Sequence, residues 1–176
     1  ALAGLRPARE GTQHAPLVAV LLKQAGLTLS EVQLSAAQMQ ALAQEALAKG
    51  DAARGEQLYR RTELACVACH AIGGAGGKIG PDLTSIGASA PPDYLVEALL
   101  YPSAKIKEGY HSALISTKDG QEHSGMIAKE TETEVVLRTA ANQDVSIPVR
   151  NIAKRTSVGS LMPAGLIDAL LPEERL

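Results

Sequence analysis

Cys66-Val67-Ala68-Cys69-His70 sets two thiols three positions apart and follows them at once with an imidazole. About one helical turn separates the thiols, so both can add to the two vinyl groups on one edge of a porphyrin. His70 then points its imidazole at the iron from below the ring. This spacing reads as a covalent attachment site for one c-type haem, with one axial position filled by a nitrogen ligand. Other chemistries fit less well. A redox Cys-x-x-Cys calls for a thioredoxin-like βαβ setting, and the Ala/Gly-rich flanks offer none. A structural zinc site needs four ligands in tetrahedral array, whereas both cysteines of the chain sit in this one motif and crowd against His70.

Met162 is the candidate for the opposite axial position. It stands before Pro163 in Ser157-Val-Gly-Ser-Leu-Met-Pro-Ala-Gly-Leu166, a Gly/Ser-rich loop that makes a poor core and a good ligand carrier. Soft thioether sulfur favours ferrous iron and raises the potential relative to two histidines. Met126 lies in an expected strand and competes less well; Met39 lies on the apolar stripe of an expected helix and is read as core. Pro81, whose ring fixes the local backbone, is placed to accept from His70 Nδ1. Such a bond selects the tautomer that leaves Nε2 for iron. His111 and His123, on either side of an expected turn, admit a metal reading but are the usual solvated strand histidines. Lys154, Arg155 and Ser157 precede the methionine loop and are candidates for the haem propionates, with surface solvation explaining them equally well.

These residues need a frame. At 176 residues the chain fits one domain, or one small domain with an extension. It has four Tyr and neither Phe nor Trp, so its core must be built from Leu, Ile, Val and Ala plus a large flat group from elsewhere. A net charge of −2 argues against a nucleic-acid partner. The apolar run Leu17 to Leu22 falls far short of the ~20 residues of a membrane span. Ala1 to Leu5 lacks the basic start and long apolar run of a signal peptide, so the numbering is expected to begin after processing or at a domain edge.

In order along the chain, residues 1–15 read as an irregular lead-in and Pro16 to Gly26 as a short helix. Ser35 and Gln38 have the form of a capping box, opening a helix over 36–49 that Gly50 ends. Asp51 caps the next helix, which runs past Gly55 and Tyr59 to about Glu63. Gly73 to Gly77 reads as a mobile turn able to lie near a porphyrin edge, and lacks the preceding strand of a phosphate loop. Pro91-Pro92 opens a helix from Tyr94 to about Leu100, stopped by Pro102. From Gly109 the pattern turns to period two, predicting strands at 110–117, 122–129, 134–139 and 144–149 with a tight turn at 118–120.

The capped helix with Gly55 and Tyr59, Cys66-x-x-Cys69-His70, Gly80-Pro81-Asp82-Leu83 and the late Met162-Pro163 together resemble a class I c-type cytochrome. More narrowly, Ile79–Leu83, Pro102-Ser-Ala-Lys-Ile106, the β-rich stretch 109–150 and Ser160–Leu166 resemble the Planctomycete/Verrucomicrobium-type c-haem domain. The likeness covers roughly residues 50–176. It implies thioether bonds at Cys66 and Cys69, iron ligation by His70 and Met162, and cofactor contact by Ile79, Pro81 and Leu83. The implied fold is mainly α: a cytochrome c-like helical haem domain over 51–176 with a four-stranded antiparallel β insert at 109–150, preceded by an N-terminal helical extension over 1–50. In that family a full C-terminal helix crosses the first helix at its Gly/aromatic pair. Here Pro172–Leu176 starts such a helix and stops, so either the natural chain runs on or another element covers Gly55 and Tyr59, the 36–49 helix being the expected one.

The expected function is monohaem electron transfer, one electron at a time, in the periplasm or another extracytoplasmic space. The expected partner is a redox protein, with a fused neighbouring domain as the second expectation for residues 1–50. Two rivals stay open. A haem enzyme or small-ligand sensor would have an open or displaceable distal position, and rapid carbon monoxide binding would reveal it. Alternatively the β insert is a partner-binding platform with the haem as its anchor.

Overall fold

The computed structural model describes residues 32–171 and Glu174. The expected helix at Pro16–Gly26 lies outside the described residues, as does most of Pro172–Leu176. Helix α1 (Ala36–Lys49) opens on the capping box read from the sequence: Ser35 Oγ accepts from Gln38 N, and Gln38 Oε1 accepts from Ser35 N at 2.8 Å. Gly50 closes it. In α2 (Ala52–Tyr59) the Asp51 carboxylate accepts from Ala53 N and Arg54 N. This helix is shorter than expected; a 3₁₀ turn at Thr62–Leu64 follows, and Ala65 in a left-handed conformation (φ 54°) starts α3 (Cys66–Cys69).

The glycine run after the motif is a hairpin, β1 (Ala71–Ile72) paired with β2 (Ala75–Gly76), not an open turn. Its two central glycines, Gly73 and Gly74, both have positive φ, as a primed two-residue turn requires. Helix α4 (Ile86–Ser89) and α5 (Pro92–Leu100) come next, α5 beginning with Pro92 in its first turn.

The described chain is not mainly helical: it is 35% helix and 25% strand, with five α-helices and a five-stranded sheet. Strands β3 (Ser112–Thr117), β4 (Glu122–Glu130), β5 (Glu134–Arg138) and β6 (Asp144–Pro148) are the expected meander. A fifth, β7 (Ile152–Ser157), returns after a 3₁₀ turn to pair with β3, giving the order β6-β5-β4-β3-β7, all antiparallel. Its sequence hid it: an edge strand exposed along all but Ile152 needs no apolar alternation. Ala113, Ile115, Val135, Leu137 and Ile147 form the sheet's own core, none more than 2% exposed. A register shift between Ile127 and Lys129 bends β4, and Arg155 of β7 reaches back to an ion pair with Glu130 at its far end.

Helix α1 docks on α5, not on α2. Leu34 and Leu100 are buried together, with Met39, Leu42 and Val96 packed against them. Met39 is thus a packing residue. A Cβ built on Gly55 would meet nothing within 4 Å, so the expected cover of the Gly55/Tyr59 face by the 36–49 helix is not what forms. The apolar stripe of α1 identified its buried face but not the helix that face would meet. No helix among the described residues is long and apolar enough to cross a membrane.

Candidate haem site

The two thiols and the imidazole come together on one wall of a cavity of about 370 Å³. Helix α3 places Cys66 and Cys69 one turn apart, both half-buried and unbonded to each other. Burial pushes both thiols up from the ordinary cysteine range, so they are neutral at pH 7. The chain leaves the helix at His70 in an extended conformation, which turns the imidazole away from the helix axis.

Three contacts hold His70. Nδ1 lies 2.7 Å from the carbonyl oxygen of Pro81; a carbonyl only accepts, so Nδ1 carries a proton, and Nε2 is the nitrogen left to face the cavity. Tyr59 Oη donates to the His70 carbonyl at 2.9 Å. Gly80 packs against the ring, where a Cβ would overlap Cε1 and lie within 2.8 Å of both ring nitrogens. Backbone bonds from Gly80 N to Cys69 O and from Leu83 N to Ala71 O, both 2.8 Å, fasten the Ile79–Leu83 segment to the motif. Ile79 is buried, and Ile79, Pro81 and Leu83 all line the cavity.

Met162 lines the same cavity from the loop before the C-terminal 3₁₀ turn (Leu166–Ala169), with Leu161 and Leu166 beside it. Met126 does not: it is buried in β4, paired with Ser112. The remaining wall is α5, through Tyr94, Leu95, Ala98 and Leu99, and the stretch after it, through Ile106. The donor set and the apolar walls fit a c-type haem: two thiols on one edge, an imidazole, a thioether, and aliphatic faces between them.

The propionate candidates do not join the site. Lys154, Arg155 and Ser157 lie on β7, outside the cavity lining, and Arg155 is committed to Glu130. Lys105, Lys107, Tyr110 and Ser160 line the cavity instead. Lys105 also holds Glu97 of α5, which raises its pKa. The signal for this pair was two basic residues bracketing Ile106; only the turn after α5 brings these exposed side chains to the cavity rim. The register of β3 and β4 keeps His111 and His123 apart, opposite Ile127 and Ile115 respectively. Among the described residues no group of three or more His, Cys, Asp or Glu side chains is placed to hold a metal ion.

No curated protein matches the chain. A family model does: residues 52–137 match that of cytochrome c. The matched stretch begins with α2, contains the thiols, His70 and Gly80-Pro81, and ends in β5 before the methionine loop. Over these residues, which include both thiols and His70, the chain is similar to cytochrome c.

Proposed function

We propose that the protein carries single electrons through one covalently attached haem c with His70 and Met162 as axial ligands. The observation that carries this reading is that the two side chains, 92 positions apart in the sequence, line one apolar cavity. When bound, the haem iron supplies a one-electron couple. Cys66 and Cys69 tether the group so that it does not leave in either oxidation state. Pro81 O and Gly80 fix the His70 ring, and the Met162 sulfur favours the reduced form. The aliphatic walls exclude water and lower the local dielectric, a second lever on the potential. Lys105, Lys107 and Tyr110 give the propionates cationic and hydroxyl partners.

Residues 51–176 form the electron-transfer unit in this reading, with the five-stranded sheet inserted between α5 and the methionine loop. Thioether attachment places the protein in the periplasm or another extracytoplasmic space, where a redox protein exchanges electrons with it. A fused neighbouring domain, preceding the α1 that packs on α5, is a second proposed partner. A haem enzyme or ligand sensor is favoured by one feature only, a cleft beside Met162 that gives its loop room to move.

Absorption spectra of the oxidised and reduced protein beside a Met162→Ala variant test the assignment. Low-spin six-coordinate spectra with a sulfur–iron charge-transfer band, lost in the variant, are expected. A high-spin spectrum in the unmutated protein would mean that the distal position is open.

A further inference from the structure

The methionine loop is not packed solidly against the body of the protein. An open cleft of about 300 Å³ separates Leu100–Ala104 from Ser160 and Met162–Ala164. One hydrogen bond crosses this seam, and a second continues it within the loop. Ser160 N donates to Ser103 Oγ at 3.2 Å, and Met162 N donates to Ser160 Oγ at 3.1 Å. Gly159, at φ +79°, brings the loop so close that a Cβ there would lie 3.0 Å from Ser103 Oγ. Ser103 is itself fixed. Ala104 N donates to Tyr101 O at 2.8 Å, closing a tight turn in which Ser103 is the third residue. The Tyr101 hydroxyl in turn accepts from Leu34 N at 2.8 Å and donates to Val32 O, just before α1.

We propose that Ser103 is a positioning residue for Met162, and that the segment leading into α1 holds Ser103 in place through Tyr101. A continuous chain of contacts runs from Val32 and Leu34 through the Tyr101–Ala104 turn and Ser160 to the backbone of Met162. The Val32 and Leu34 end of that chain lies outside the stretch that matches cytochrome c, so the N-terminal segment tunes how firmly the sulfur is offered to the iron. This inference rests on His/Met ligation as proposed above.

Imidazole, which displaces a methionine sulfur from ferric iron, reports on that firmness. The ferric holoprotein would be titrated with imidazole, following the sulfur–iron band, in unmutated, Ser103→Ala, Ser103→Thr and Tyr101→Phe forms. Loss of the Ser103 hydroxyl is expected to tighten apparent imidazole binding by about three- to tenfold, the range that one hydrogen bond gives. Ser103→Thr, which keeps the hydroxyl, restores the unmutated value, and Tyr101→Phe shifts it the same way by about two- to threefold. Binding in Ser103→Ala within a factor of two of the unmutated protein would overturn the role of Ser103, as would failure of threonine to rescue. An unchanged value in Tyr101→Phe would overturn the link to α1. A missing band in the unmutated protein would overturn the His/Met reading and this inference with it, whereas a band present throughout with equal imidazole affinities would overturn this inference alone.

Discussion

The sheet and the helical part bury their aliphatic side chains in opposite ways. In the sheet, Ile115, Val135, Leu137 and Ile147 meet one another, and the core is dense and complete. In the helical part, Ile79, Leu83, Ile86, Leu95 and Leu166 line a shared cavity, and the buried cluster behind α5 is centred on Leu34 and Leu100 alone. A chain with no Phe or Trp has little aromatic bulk of its own to fill such a space. With the haem proposed above, the sheet is expected to be stable on its own side chains, and the helical part to draw its stability from the prosthetic group.

The largest test of that contrast removes the tether. In a Cys66→Ser/Cys69→Ser double variant, hydrogen exchange should show residues 52–106 losing most of their protection while 112–157 keep theirs. Loss of protection in both regions alike would mean that the two form one cooperative unit. Gly80→Ala is next, because the new methyl overlaps the His70 ring and must push it off its seat. The oxidised spectrum should shift toward high spin, with the sheet's exchange pattern unmoved. Leu137→Ala acts from the other side. Truncating a fully buried leucine costs about 2–5 kcal/mol, and denaturant unfolding followed on the sheet should show it while the haem absorption bands stay in place.

The smallest effect is acid. Hydrogen bonds from Arg155 and Arg138 hold Glu130 and Asp144 below the usual carboxylate range. Depressed values in the folded state mean that their contribution is present at neutral pH and lost as pH falls through and below about 4. Both pairs are solvent-exposed, so the sheet should lose only a little thermal stability there, and high salt at pH 7 should reproduce much of the loss.

Much of this arrangement was legible because it depends on local chemistry. The Ser35/Gln38 capping box, the Asp51 cap, Pro92 in the first turn of α5, and the alternation of Ser112–Thr117 against Glu122–Glu130 each constrain a few neighbouring residues directly. His70 with Pro81 was legible too, since the proline ring fixes the backbone that presents the carbonyl. What escaped depends on contacts distant in sequence. Strand β7 has no alternation because only one of its residues needs burial, and of the two readings that Lys154 and Arg155 allow, propionate partners or solvated charges, the edge strand selects the second. The hairpin at 71–76 is too short to leave a period. Lys105 and Lys107 look like ordinary surface lysines until the turn at Tyr101–Ala104 carries them back to the cavity.

The central claim is that one electron enters and leaves an iron whose His70 and Met162 ligands stay in place. A potentiometric titration of the purified protein, followed by absorption and repeated under carbon monoxide, tests it most directly. The account predicts a single reversible one-electron transition between two six-coordinate low-spin forms, identical with and without the gas. A reduced form that turns high-spin, or that takes up carbon monoxide as soon as it is produced, would contradict it.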